Sequence, residues 1–543
     1  MPIEYLKDGD LEFIGLNSRD NPSALPKGIV SQSQNFRLDR GVATVRKGIQ
    51  RKTVGALTGQ TIYGVGTYIN STGQEIIIIV VTNGLYTYNP DTEALSSKVN
   101  FPSGETITTQ DGCEVTAGVD LVFISRGFSK RPLRWDLNVT ITAFGTSALD
   151  KEFSNCESIL YYANRFITIG AHHATSTGVA LRNNDTICVS NFLDWQHFDA
   201  IDAFTINNGG NDRIVGVSPW TLNEFLIFLR NSIFYVSVGT SRYASGDGLA
   251  SDSYVKTLAT DIGCSAKKSI VQAGGGVFFL SDNGVYFLQP QPASAESLKL
   301  MTMADPISAP IDDIIQRINR NYSYRAVATY WNNRYYLAVP LDSSVDNNAI
   351  LVFNFILKQW ESVDTYPAGF DVFEFVIAKK ANQRRMFGVD TDQGIFLMEE
   401  LNNDEYQDWA SGDPNAGTPI LPFYLPSTLT GLSFPKNAIN SILKTRNYSF
   451  GTIGEKRFST AEVDMLSDAG SQITTSAVVT NPDATTIVDT FGFPTTEDST
   501  RRTPIRKLGT AIQLIFTSFN LRPSIRSAYV YAIQKLKTNQ SKK

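Results

Sequence analysis

Between about residues 55 and 400 the apolar residues come in paired short runs with a polar turn between them. IIIIVVTNGLYTYN (Ile76–Asn89) is the first pair. LIFLRNSIFYVSV (Leu226–Val238), VFFLSDNGVYFLQ (Val277–Gln289) and MFGVDTDQGIFLM (Met386–Met398) repeat the form. Asn-Gly tolerates positive φ at both central positions of a type I′ turn, so these pairs predict β-hairpins. A second form turns through Asn-Arg or Asn-Asn between aromatic strands, in ILYYANRFITIG (Ile159–Gly170) and ATYWNNRYYLAVP (Ala328–Pro340). DLVFIS followed by RPLRWD (Asp120–Asp136), and AILVFNFILKQWES (Ala349–Ser362), read the same way. The units start near 60, 112, 157, 213, 268, 323 and 370, a spacing of about 45–55 residues, as in a four-stranded propeller blade. One hairpin pair cannot bury both of its faces, whereas sheets stacked radially bury both and leave only short edges. The pattern therefore predicts an all-β chain with a six- to seven-bladed β-propeller over 55–401. Residues 240–265 and 289–322 read as insertions. The second holds the one convincing short helix, Pro306–Arg320, with Pro310 at its start.

The flanks differ from this pattern. Residues 1–54 read as an extended N-terminal arm with the first strands: Pro22 and Pro26 forbid helix, and Gly28 and Gly41 supply turns. An arm of this kind, buried against a blade, would close the ring. Residues 402–440 are rich in Pro, Gly and Ser and predict a linker or docking arm. Residues 441–543 return to alternation and predict a separate C-terminal β-sandwich of at least five strands and immunoglobulin-like size, with a frayed basic tail.

Composition narrows the function classes. The chain has 543 residues, 42% hydrophobic and 19% charged, which is a folding composition too long for one ordinary core. Its net charge of −5 argues against a clamp on nucleic acid, which needs a basic patch. None of Cys113, Cys156, Cys188 and Cys264 forms a CxxC pair, so buried free thiols are expected rather than a zinc site, a redox pair or a disulfide framework. The longest apolar run, Ile76–Val81, is of strand length, and the charged N-terminus lacks a signal peptide's apolar stretch. No membrane-spanning segment and synthesis in a cytoplasm are expected.

Candidate chemistry is sparse. His172 and His173 would point to opposite faces of a strand, and His197 reads as part of an aromatic turn. A glycosidase needs two carboxylates across a pocket. Ser281–Gly284 and Thr391–Gly394 resemble fragments of the repeated Asp box of sialidase propellers without completing it, and turn chemistry is the better account of both. Glu399–Glu400 and Asp312–Asp313 read as solvated faces or a helix N-terminus. Gly274–Gly276 precedes a strand and suggests close blade-to-blade approach, not a phosphate cradle. Tyr322, Tyr324, Tyr330, Trp331, Tyr335 and Tyr336 could stack bases, but core and inter-blade packing is the expected role. The reading is of no catalytic, cofactor-binding or metal residues and no cofactor.

One stretch carries more than composition. In GLNSRDNPSALPKGIVSQSQNFRLDRGVATVRKG, Asn17, Arg19, Asp20, Pro22, Leu25, Pro26 and Gly28 form an opening motif; Asn35–Leu38 form a strand, and Arg46 and Gly48 close it. This segment resembles the start of the nozzle, or tail tubular B, proteins of short-tailed bacteriophages. Thr445–Met465 and Ile512–Ala532 are similar to the β-sandwich that follows the propeller in several phage tail proteins. The resemblance implies a structural protein of the virion tail: a homohexameric ring below the tail adaptor. It implies a DNA-ejection conduit that touches viral DNA transiently in its lumen, with fibres or a needle docked outside. A carbohydrate-binding or glycan-degrading propeller at the tail tip is the alternative, and a peptide-binding cellular scaffold is a third reading.

Overall fold

The computed structural model describes residues 3–52, 57, 59–108, 113–127, 130–137, 140–143, 155–170, 186–196, 198, 203–206, 212–221, 224–238, 254–289, 306–366, 370–399, 407–409, 436–466, 472–482, 486–492, 499–520 and 522–535. Seven small antiparallel sheets follow one another, each a meander of hydrogen-bonded neighbours. Blade 1 runs Ile62–Ile69, Glu75–Val81 and Gly84–Asn89, with Ala94–Leu95 and Val99–Asn100 sharing the outer position. Blade 2 is Val115–Gly118, Leu121–Ile124, Leu133–Trp135 and Ile141–Ala143. Blade 3 is Cys156–Tyr162, Arg165–Gly170, Thr186–Val189 and Ala203–Thr205. Blade 4 is Ile214–Pro219, Glu224–Leu229, Ile233–Ser237 and Tyr254–Ala259. Blade 5 has three strands among the described residues, Val271–Ala273, Gly276–Ser281 and Gly284–Leu288. Blade 6 is Val327–Trp331, Arg334–Val339, Ala349–Asn354 and Gln359–Thr365. Blade 7 is Glu374–Lys380, Gln383–Asp390 and Gly394–Met398, completed by Gln50–Arg51 from the arm. The first strands of successive blades touch in order, and that of blade 7 meets that of blade 1. The ring is closed: six four-stranded blades and one shorter blade make an all-β propeller, followed by a β-sandwich.

Strand Glu75–Val81 explains the unbroken apolar runs. Ile77, Ile79 and Val81 pack with Val376, Phe387 and Val389 of blade 7. Ile78 and Val80 pack with Val122, Ile124 and Leu133 of blade 2. Successive side chains leave a strand on opposite faces, and here both faces are buried, so alternation vanishes from the sequence. Phe278 and Leu280 likewise face Tyr335 and Leu337 of blade 6, while Val277 and Phe279 face Leu226 and Phe228 of blade 4.

The sandwich, expected to be separate, is not self-contained. Its own strands are Ser441–Lys444, Lys456–Leu466, Gln472–Pro482, Thr486–Gly492, Ser499–Asn520 and Ser524–Lys535. The arm adds Ile3–Asp10, paired from Ile3↔Lys535 to Asp10↔Ala528, and the hairpin Phe36–Asp39/Val42–Val45. Gln32–Gln34 lies between Ser441–Lys444 and the outer strand of blade 6. Phe13, Phe36 and Leu38 of the arm share one buried core with blades 5 and 6 and with Phe458, Leu514 and Val530 of the sandwich. The 22-residue strand Ser499–Asn520 pairs first with Lys456–Leu466 and then with Ser441–Lys444 and Gln472–Pro482. Its ladder shifts opposite Phe458–Thr460, near Pro504 and Arg506 at φ 53°, and this bulge lets one strand serve both layers.

Local details depart from expectation. Asn-Gly does not occupy the centre of the hairpin turns: Val81 pairs with Gly84 and Ser281 with Gly284, so the loops are Thr82-Asn83 and Asp282-Asn283 and glycine begins the next strand. Hairpin turns with two positive-φ non-glycine residues are instead Ala163-Asn164, Val119-Asp120, Asn332-Asn333 and Ala381-Asn382. The first of these moves the expected Asn-Arg turn back by one residue. The 240–265 segment is not wholly an insertion, since Tyr254–Ala259 is the outer strand of blade 4. The short helix shrinks to a 3-10 turn, Ala309–Ile311, running into Asp312–Ile315. Among the described residues no helix is long and apolar enough to cross a membrane.

Gly274 and Gly275, at φ 56° and 79°, form the turn between the first two strands of blade 5. A Cβ on Gly274 would lie 2.4 Å from the Phe355 ring of blade 6, so the expected close approach is present. Gly274→Ala is expected to cost roughly 1–3 kcal/mol, read as a lower thermal midpoint by near-UV circular dichroism.

Candidate functional site

The inner strands of blades 2 to 7 enclose an axial pocket of about 310 Å³. No single sequence motif builds it; blades place residues from Cys113 to Gln393 around one axis. Lys267 and Lys268 lie in the 3-10 turn Lys267–Ser269 that opens blade 5, and they reach in different directions. Lys267 Nζ lies 2.8 Å from Glu114 of blade 2 and donates to the Glu157 carbonyl of blade 3 at 3.2 Å. Lys268 Nζ lies 2.9 Å from Glu374 of blade 7 and 4.3 Å from the Phe373 ring centroid. These contacts join blade 5 to blades 2, 3 and 7. Burial alone would depress the Lys268 ammonium, but Glu374 and then Glu114 hold it above its ordinary pKa.

Blade 7 brings acidic groups to the same pocket. Asp390 caps the turn to Gly394: Oδ1 accepts the N–H groups of Asp392 and Gln393, and Oδ2 that of Asp371, all at 2.8 Å. Asp371 is raised to about 6, first by desolvation and then by the charges of Asp346 and Asp390. Arg325 is 2.9 Å from Asp346. Asn347 is 4% exposed, and its amide nitrogen donates to the carbonyls of Arg325 and Val372 at 2.8 and 2.7 Å. Its Oδ1 has no hydrogen-bond partner among the described residues. No sequence signal marks Lys267, Lys268, Asp371 or Asn347, because each needs the closed ring to meet the others. Among the described residues no group of three or more His, Cys, Asp and Glu is arranged to hold a metal ion.

The opening-motif residues lie elsewhere, at the joint of arm, propeller and sandwich. Asn17 and Asp20 form a turn through Asp20 N–H to Asn17 Oδ1 at 3.0 Å, and the Ser18 and Arg19 N–H groups donate to Pro310 O. The Pro22 carbonyl accepts from Asn447 N–H, Pro26 O from Ile29 N–H, and Leu25 is buried. Gly28, at φ 81°, donates its N–H to Asp10 Oδ1 at 3.0 Å. Asn35, at φ 58° and 1% exposed, donates to Asn440 O and accepts from the backbone N–H of Thr365. Arg46 is wholly buried and spends its donors on Asn35 Oδ1, Lys47 O, Thr365 O and both oxygens of Asp408, the last at 2.8 and 2.6 Å. The Tyr366 ring covers its guanidinium at 4.1 Å, and Gly48, two residues on, is buried. Asp408 comes from Gln407–Trp409, which pairs with Lys436–Ala438, so part of the expected docking arm is tied into the core. The rest of 402–440 that the sequence marks as Pro/Gly-rich lies outside the described residues, as do His172, His173, His197 and Glu400.

Other candidates resolve into structure. Glu399 is not solvated: it is buried and pairs with Arg37, which also binds Asp364. Asp312 and Asp313 sit in the first turn of the short helix, and Asp282 pairs with Arg230 at 2.9 Å. Trp331, Tyr335 and Tyr336 are buried between blades, while Tyr324 stays exposed at the pocket rim. All four cysteines are free and buried, and burial pushes their thiols up, Cys113 to about 12.

Comparison with known proteins adds little. No family model and no curated protein matches the chain. Among solved structures, BBS1N, from its complex with ARL6DN, aligns at 12% identity and TM-score 0.39 over 66% of this chain and 99% of that one. Raptor of Chaetomium thermophilum aligns at 8% identity and TM-score 0.38 over 68% of this chain and 29% of that one. PorZ, a surface component of the type-IX secretion system of Porphyromonas gingivalis, aligns at 12% identity and TM-score 0.36 over 71% of this chain and 44% of that one. Likenesses of this size carry no functional argument, and the propeller assignment rests on the seven sheets themselves.

Two substitutions test the two sites. Arg46→Met strands the Asp408 carboxylate in the core and is expected to destabilise by ~3–5 kcal/mol. Arg46→Lys should not rescue it, because one ammonium cannot meet a planar set of acceptors; Arg46→Met with Asp408→Leu should recover part of the loss in thermal midpoint. Asp371→Asn should act in the opposite sense. The folded-state pKa of Asp371 is raised, so its ionisation opposes folding above about pH 6, and this cost disappears as pH falls toward its unfolded value. The variant should gain ~1 kcal/mol at pH 7.5, after discounting for a half-exposed group, and nothing near pH 4.

Proposed function

We propose that the chain is a non-enzymatic building block of a phage tail nozzle: identical copies form a ring, reckoned as a hexamer, between the tail adaptor and the outer tail parts. The observation that carries the reading is the role of the opening-motif residues. Those that suggest the nozzle family, above all Asn35 and Arg46, form the buried joint that makes arm, propeller and sandwich one rigid piece. A ring under the pressure of DNA ejection needs such rigidity, and it needs two different surfaces per subunit that close on each other. Ion pairs join blade 5 to blades 2 and 7 in the axial pocket, so in this reading DNA passes between the copies, not through a blade ring. A net charge of −5 suits a lumen that lets DNA slide without holding it.

The purified chain, alone or with the neighbouring adaptor, is expected to form closed rings by electron microscopy and native mass spectrometry. Replacing 410–435 by a two-residue Asn-Gly turn between Trp409 and Lys436, which pair directly, should leave a folded monomer that forms no rings. Rings that survive the replacement would remove that segment as a subunit contact. A strictly monomeric full chain in the presence of adaptor would overturn the nozzle reading, as would sugar release from host envelope polysaccharide, which belongs to the glycan-degrading alternative.

A further inference from the structure

One layer of the sandwich presents an outer face made by Ser499–Asn520, Lys456–Leu466, Ser524–Lys535 and the arm strand Ile3–Asp10. Leu508, Arg457, Ile533 and Tyr5 stand opposite one another on these four adjacent strands, so their side chains form one row on one face. The residues that alternate with them, Phe458, Ala532 and Leu6, turn into the core. The row itself meets water: Tyr5 is 79% and Leu508 44% exposed, and Arg457 is exposed as well. At its end the loop before Lys456 carries Ile453, which is 94% exposed. That loop is not frayed. Lys456 Nζ donates to the Thr452 and Gly454 carbonyls at 2.7 and 2.8 Å, and the Thr452 hydroxyl donates to Gln534 Oε1 at 3.4 Å. Holding an isoleucine rigidly in water gains nothing within the chain, and apolar patches of this kind mark contact surfaces.

The same face is positively charged. Its carboxylates Glu462 and Asp464 are paired with Arg502 and Arg526, at 2.8 and 4.0 Å. Lys7, Arg457 and Arg506 have no carboxylate partner among the described residues, and all three are exposed. Even with Glu455 of the loop counted, five cations outnumber three carboxylates. The imbalance runs through the chain: residues 441–543 hold 14 Lys and Arg against 8 Asp and Glu, a net of +6, so the rest of the chain carries −11.

We propose that this face docks on the acidic propeller side of a second copy of the chain, in a head-to-tail contact. The inference rests on the ring reading and supplies one of the two surfaces that a ring needs. Charge complementarity between +6 and −11 selects the partner. A twofold contact of the face with itself is disfavoured, because it would bring Lys7, Arg457 and Arg506 of both copies together. A head-to-tail contact has no such conflict, and repeated it closes a ring. The residue types also fit a protein partner: tyrosine, arginine and aliphatic side chains dominate the centres of protein interfaces. Nucleic acid fits less well, since Lys7 Nζ already lies over the Tyr529 ring, 3.9 Å from its centroid, where a base would stack. Four strands about 4.8 Å apart and eight residues long give a platform of roughly 15 by 25 Å. That is about half of the area that each partner contributes to a standard interface.

The test is sedimentation velocity and native mass spectrometry of the full-length chain, with and without the neighbouring adaptor. Arg457→Glu should weaken self-association at least tenfold, and so should Tyr5→Ser combined with Ile453→Ser. Both variants should keep the thermal midpoint of the unmodified chain, since the altered side chains are exposed. Raising salt from about 50 to about 500 mM should weaken the unmodified assembly at least tenfold and the Arg457→Glu assembly less. A labelled Arg457→Glu chain keeps its propeller surface, so the unmodified chain should still capture it, giving open rather than closed rings. Unmodified rings that persist undiminished in both variants would overturn this inference and leave the ring reading standing, as would exclusion of the labelled chain. An unmodified chain that stays monomeric with adaptor would overturn both. If Arg457→Glu abolishes binding of a short DNA duplex while rings are unchanged, the face belongs to nucleic acid and the second copy is ruled out.

Discussion

A guanidinium removed from water must have its N–H groups met by protein, and Arg46 meets that demand only where three distant pieces of chain converge. Asn35 comes from the arm, Thr365 from the last strand of blade 6, and Asp408 from beyond the propeller. Taking such a pair out of water costs several kcal/mol, and the attraction between the ions offsets it only in good geometry. Its main consequence is registry: a slip of the arm by one residue would bury charge without partners. Arg446 repeats the device at the other side of the arm, bonded to Asp8 and Asp10, and Arg37 does so with Asp364 and Glu399. The arm is held by polar constraints along its length, and hydrophobic burial of Phe13, Phe36 and Leu38 supplies the driving force between them.

The propeller obeys a different economy. Its central strands contribute alternate apolar residues to two neighbouring inter-blade layers. Polar groups gather in the axial pocket and in the turns, where Asn333 and Asn382 take up positive φ. The axial pocket is therefore the place where charged residues from six blades have to accommodate one another. They do so through inter-blade pairs on the blade 5 side and less completely beside blade 7.

The repeat and its spacing were legible because hairpins are local: two apolar runs and a turn lie within about fifteen residues of each other. The blade number was legible to within one, since the short blade 5 and the outer strand Tyr254–Ala259 sit beside stretches with no hairpin pattern. The turn register was missed by one residue at Thr82-Asn83 because Asn-Gly suits more than one hairpin geometry. The self-contained sandwich was misread for a deeper reason. Ile3–Asp10 pairs with Ser524–Lys535, and nothing in either segment names its partner across more than five hundred residues. Arg46 was singled out as part of a motif, yet its partner Asp408 sits in a stretch whose composition suggests only a linker. Asp371 and Asn347 carry no local signal at all; only the closed ring gives them a common pocket.

The pairing of the earliest strand with the last one has a consequence for synthesis. Ile3–Asp10 is synthesised long before its neighbour, which is complete only once residue 535 has been made, and Gln50–Arg51 must wait for Phe396 and Leu397 before blade 7 is complete. During translation the arm is a sticky, unsatisfied edge, exposed for the whole time that the blades are accumulating. The fold thus contains its own proofreading by length: a polypeptide released early cannot latch, whatever the quality of the blades it has already formed.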